Sequence, residues 1–168
     1  MKLKHTIMAL IVMCTCWSWS GTWSQEKVHL GDLSRVDLEF MADQRQSLQD
    51  LAASNLGRQF DGNRDRDLEL LQALLDKQLV RPEQTRELQA MGVIMGDLLA
   101  RELDMHWVIY EDRQGRSRAL RYRETDNFLF PITMIARRRE VGNQTPVVDI
   151  YQKAHSIISK NIPPLPFQ

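Results

Sequence analysis

Two glycines one helical turn apart, Gly92 and Gly96, sit beside an apolar stripe of Leu88, Met91, Met95, Leu99 and Leu103, and this pairing constrains the fold more than any other feature of the chain. The stripe recurs at helical spacing, yet each glycine weakens a helix by roughly 1 kcal/mol relative to alanine. A helix that carries two of them on one side needs their smallness, and the use for it is close approach of a second backbone. A glycine-mediated membrane dimer uses the same spacing. Here Asp97, Arg101 and Glu102 interrupt the apolar run within two turns, so the segment falls short of the roughly 20 apolar residues that span a bilayer. The helix is expected at the centre of a protein core.

The elements around it follow from local signals. A polar lead over residues 25–33 precedes Ser34, which forms a capping-box pattern with Asp37. Phe40, Leu48, Leu51, Ala52 and Leu56 then recur at helical spacing up to a stop at Gly57. A second helix is expected from about Arg66 to Leu79 on Leu68, Leu71, Leu74 and Leu75. The central helix is expected to begin at Pro82, because proline at a first helical position lacks only a donor that is unpaired there anyway. After Asp104 the pattern changes. Met105 to Tyr110 is rich in strand formers, Glu111 to Gly115 supplies a turn and Ala119 to Arg123 alternates, which reads as a hairpin. Residues 127–135 read either as a third strand on Phe128 and Phe130 ending at Pro131, or as a helix from Pro131 through Ile132, Ile135 and Arg139; the helix is preferred. Thr145 and Pro146 open a last helix on Val147, Tyr151, Ala154 and Ile158, and residues 161–168 form a Pro-rich tail. Helices, then a small antiparallel hairpin or sheet, then a C-terminal helix describe one α+β domain over residues 34–160.

The first 24 residues read as an export signal rather than as part of this domain. Lys2 and Lys4 give a positive start, Thr6 to Trp17 an apolar run, and small residues follow at signal-peptidase spacing, with cleavage after Ser20 or after Ser24. The expected location is the periplasm or outside the cell; the alternative is an N-terminal anchor in the inner membrane. Both cysteines and three of the four tryptophans lie in this segment, leaving Trp107. The remaining chain therefore has no disulfide, cysteine nucleophile or cysteine metal site, and about 140 residues must be held by their core alone. Loss of Lys2 and Lys4 from 22 basic side chains against 22 acidic ones leaves a net charge of about minus two. Such a balance argues against nucleic acid or an anionic membrane as partner.

From Leu70 to Ala154 the chain resembles a bacterial family, the domain of unknown function 3806. The resemblance is carried by MGVIMGDLLARELDMHW running into a strand, the hairpin, FLFPITMIARRREVG and a short VVDIYQKA helix. It implies no activity. Gly92, Gly96, Trp107, Pro131, Ile135 and Arg138 match its pattern with no catalytic role attached, and the helix over 34–57 lies outside it.

Few residues suggest chemistry. Asp61, Asn63 and Asp65 fit the first alternating positions of a calcium loop, but Arg66 stands where the turn needs glycine and Gln72 where a glutamate closes the site. A solvated loop and an acidic helix start is the preferred reading. His29, His106 and His155 lack zinc spacing, and neither a nucleophile elbow nor a phosphate-cradling glycine loop occurs in the chain after residue 24. The densest basic group is Arg137, Arg138 and Arg139 with Arg121 and Arg123, near Glu124, Asp126 and Glu140. No catalytic residue and no cofactor are expected. The expected function is a non-enzymatic, exported domain that binds another protein, in an envelope-accessory or immunity-type role, through the N-terminal helix or the Pro-rich tail. The alternative is an envelope hydrolase or a binder of an anionic small ligand, with a pocket lined by Arg121, Arg138 and Trp107.

Overall fold

The computed structural model describes residues 28–160; the expected export signal and the Pro-rich tail lie outside them. In chain order these residues form β1 (His29–Gly31), α1 (Arg35–Leu56), α2 (Arg64–Asp76), α3 (Thr85–Glu102), β2 (Met105–Asp112), β3 (Gly115–Tyr122), β4 (Phe128–Leu129), α4 (Ile132–Glu140) and α5 (Val147–Ser159). The strands make one antiparallel sheet in the order β1-β2-β3-β4. The fold is α+β. No described helix is long and apolar enough to cross a membrane.

Local chemistry sets most of the boundaries. The Ser34 hydroxyl accepts the Asp37 backbone N–H at 3.3 Å while the Asp37 carboxylate accepts the Ser34 N–H at 3.0 Å, closing the capping box of α1. Gly57 ends that helix at a φ of 62°. Asn63 caps α2 by accepting the Arg66 N–H at 3.1 Å, so the helix starts at Arg64, earlier than its apolar pattern suggests. It also ends earlier. Gln78 takes a φ of 55°, and the N–H groups of Leu79 and Val80 both fold back onto the Leu74 carbonyl. The expected start of α3 at Pro82 is corrected to Thr85: Gln84 closes a turn onto Arg81 through both its backbone N–H and its side-chain oxygen, and the helix begins only beyond it. The polar lead contains a strand that the sequence reading did not assign. In β1, His29 pairs with Glu111, Leu30 with Tyr110 and Gly31 with Ile109.

The core is built on α3. Leu88, Met91, Met95 and Leu99 are wholly buried, joined by Leu48 and Ala52 from α1, Leu70, Leu71 and Leu74 from α2, Leu120 from β3 and Ile150 from α5. The two glycines do what their spacing implies. A methyl group built on Gly92 would lie 2.5 Å from the Ile132 carbonyl oxygen and 2.6 Å from the Pro131 carbonyl oxygen, so the α4 entry is packed backbone to backbone against α3. A methyl on Gly96 would lie 2.5 Å from the Trp107 ring and 2.9 Å from the Pro131 ring. Both readings of residues 127–135 hold in part. Phe128 and Leu129 are strand, and the chain turns at Pro131 into α4.

Candidate functional site

One surface cleft among the described residues comes from a mismatch in strand length. β3 has eight residues, but β4 pairs only with Leu120 and Arg121 before Pro131, which has no N–H to give, turns the chain into α4. Among the described residues no strand flanks Gly115–Ala119 on that side. The space between this strand edge and the start of α4 is a cleft of about 510 Å³, lined by Phe40, Tyr110, Arg116, Arg118, Phe130 and Arg137 together with Gln89 and Asp112.

Its apolar wall is aromatic. Tyr110 stands opposite the small Ser117 and reaches across β3 to meet Phe128 edge-on at 5.1 Å and Phe130 at 5.2 Å. Phe130 remains 37% exposed.

Its polar wall is anchored by one buried acid. Asp37 is 1% exposed and receives Arg116 through two hydrogen bonds, at 3.0 and 2.5 Å, and Arg118 at 2.8 Å. The Arg116 guanidinium, with help from Ser34 and against the cost of burial, holds the Asp37 carboxyl well below the usual carboxylate range. Arg118 also lies over the Phe40 ring, 4.3 Å from its centre. Arg137 differs from these two: it is exposed, and none of the ion pairs among the described residues uses it. The cleft thus offers unpaired strand backbone, an aromatic wall and a free cation. Such groups can hold an extended, partly apolar ligand.

The residues singled out from sequence lie elsewhere. Trp107 pairs with Leu120, and Arg121 with His106, so Trp107 and Arg121 project to opposite faces of the sheet. Trp107 donates its indole N–H to Asp97 at 3.0 Å beneath α3. Arg121 is tied to the Glu124 carboxylate at 2.7 Å and the Thr125 carbonyl at 2.8 Å. Arg138 donates to the Met134 carbonyl at 2.6 Å on its own helix. The three do not gather around one cleft.

The calcium-like loop has other work. Asp61 holds the Asn63 N–H at 2.8 Å and pairs with Arg66 at 2.6 Å, Asn63 caps α2, and Asp65 pairs with Arg64 at 2.8 Å. The loop closes instead on buried Asp67, which accepts the N–H groups of Asp61 and Gly62. No group of three or more His, Cys, Asp or Glu among the described residues could hold a metal ion.

A second polar cluster joins three helices. Glu102, at the end of α3, accepts hydrogen bonds from Tyr151 of α5 and from Arg64 of α2 at 3.0 Å, and lies 3.5 Å from His155 Nε2. The Tyr151 hydrogen bond lowers the Glu102 pKa, while burial, then Glu102, raises that of the Tyr151 phenol. Ser159 Oγ lies 3.0 Å from His155 Nδ1, which lines up a hydroxyl, an imidazole and a carboxylate. That hydroxyl also donates to the His155 carbonyl at 2.9 Å. The group sits in the last turn of α5, where outward carbonyls repel an oxyanion instead of stabilising it. It is an inter-helix clasp.

Residues 67–151 match the family described as Domain of unknown function (DUF3806), and the chain belongs to that family. A crystal structure of a protein from Bacteroides thetaiotaomicron VPI-5482 has a similar fold, with a TM-score of 0.68 at 19% identity over 77% of this chain. The chain spans about half of that protein, 48% of its length. No curated protein matches.

Proposed function

We propose that this member of the DUF3806 family is an exported, non-enzymatic domain of the bacterial periplasm or exterior that binds another protein. The observation that carries this reading is the open Gly115–Ala119 edge of β3 beside Tyr110, Phe130 and Arg137. An extended segment entering the cleft would meet the strand edge with its backbone, as in recognition by strand addition. Aromatic and arginine side chains are the residue types that dominate binding energy at protein interfaces. Phe130 is the anchor and Arg137 the cation that selects an acidic neighbour. Export rests on the sequence of residues 1–24. An envelope-accessory or immunity-type role fits both features.

The alternative, an envelope hydrolase or anionic-ligand site at Arg121 and Arg138, is the weaker reading. Arg121 is already paired with Glu124, and Arg138 is bonded to its own helix. The test is capture from an envelope extract with the chain starting at residue 25, run beside Phe130→Ala and Arg137→Glu. A partner retained by the native protein and lost, about 30-fold weaker, in Phe130→Ala with an unchanged melting temperature supports the reading. Capture unaffected by both substitutions, or recovery of the full chain as a lone cytoplasmic species, refutes it.

A further inference from the structure

We infer that a second cleft, between the α2–α3 and α4–α5 connections, is a binding site for a carboxylate seated on Arg139. Arg139 lies in the last turn of α4 and is only 9% exposed. None of the ion pairs among the described residues includes it. One of its terminal nitrogens donates to the Thr145 carbonyl at 3.1 Å, and its fully buried Nε–H has no partner. Taking a guanidinium out of water without a counter-ion is costly, and an apolar side chain of similar size would serve packing better. Burial accordingly lowers the pKa of this group, with Asp76 acting in the opposite sense through space.

The cleft has a volume of about 500 Å³, and Arg139, Arg81, Gln78 and Gln144 line it. Asp76 and Glu83 line it too, so its formal charges balance and it is no general trap for anions. Asp76 holds the Gln72 amide at 2.7 Å rather than Arg139. With Nε sealed from the cleft, recognition falls to the terminal nitrogens of the guanidinium, whose planar geometry suits a planar, singly charged carboxylate better than a doubly charged phosphate. This cleft shares no lining residue with the one beside β3, and the inference stands apart from the protein-binding reading.

The test is a titration of the nitrogen-15-labelled chain starting at residue 25 with sodium acetate against sodium chloride at equal ionic strength. It follows the Arg139 Nε–H, whose burial slows its exchange, and the backbone amides of Gln78, Asn143 and Gln144. Saturable shifts with a Kd in about the millimolar range are expected for acetate alone. Arg139→Lys should weaken binding about tenfold or more, since an ammonium cannot make the paired contact, and Asp76→Asn should tighten it. If Arg139→Lys does not fold, the Asp76→Asn arm decides. Shifts that do not saturate, that match those of chloride, that are unchanged in both variants, or that are tighter with inorganic phosphate would overturn the assignment.

Discussion

Gly92→Ala tests whether backbone contact between α3 and α4 holds the fold together. The added methyl would meet the Ile132 carbonyl oxygen at 2.5 Å, Ile132 Cα at 2.6 Å and the Pro131 carbonyl oxygen at 2.6 Å. Ordinary contact needs about 3.5 Å, so the α4 entry must retreat by about 1 Å. Two effects oppose each other. Alanine favours the helix by about 1 kcal/mol, while overpacking costs about 1–3 kcal/mol. The yielding atoms here are main chain, which places the cost at the upper end and leaves a net loss of about 2 kcal/mol. Urea unfolding reads this as a lowered midpoint at constant slope, and thermal unfolding as a fall of about 8 °C. In Gly96→Ala the obstacles are the Trp107 and Pro131 rings, which can shift, so the loss is smaller, about 1 kcal/mol. Only this second variant should move the Trp107 fluorescence. A Gly92→Ala protein as stable as the native one, or stabilised by the about 1 kcal/mol expected for an unencumbered helical glycine, would refute the close-contact argument.

Asp37→Asn strands two arginines beside a buried position and should cost about 2–3 kcal/mol at pH 7, discounted for the partial exposure of Arg116. Because Arg116 lowers the folded-state pKa of Asp37, this contribution is complete above the unfolded value of about 3.9 and is lost as pH falls below it. Urea midpoints of native and variant should therefore draw together as pH falls below about 4, and a constant gap would contradict the assignment. Burial and then Glu102 raise the Tyr151 pKa, so its contribution is whole below about pH 10 and fades as pH rises further. Tyr151→Phe should flatten the loss of stability above about pH 10; an unchanged slope tells against it. Calorimetric titration with calcium should show no site at residues 61–72 tighter than roughly millimolar, and micromolar binding abolished by Asp61→Ala would overturn the structural reading of that loop.

What could be read from sequence was local. The Ser34–Asp37 box, the stop at Gly57, the hairpin and the turn at Pro131 are each written within a few residues, and the structure has them all. The need for a close backbone partner at Gly92 was also legible, though not that Pro131 and Ile132 supply it. The features missed are those that depend on distant partners. β1 is three residues whose strand character comes from pairing with Ile109–Glu111. Arg116 and Arg118 have no local signal that marks their role, because the acid that takes both, Asp37, lies 79 positions from Arg116. Within the basic run, periodicity could have separated Arg139 from Arg138, because it falls one helical turn after Ile135 on the buried side of α4.

The contact at Gly92 reaches beyond stability. It fixes where Pro131 and Ile132 sit, and these residues determine how far the chain diverges from β3. The slot beside the strand edge is consequently set by main-chain packing in the core, with Phe130 projecting from the residue just before the pinned pair. An incoming segment would then lose its own conformational freedom on docking while requiring little further ordering of the host. Rigid receptors of this kind tend to bind with little backbone movement. Loosening α4 should therefore show first as slower association and only later, at higher temperature, as unfolding.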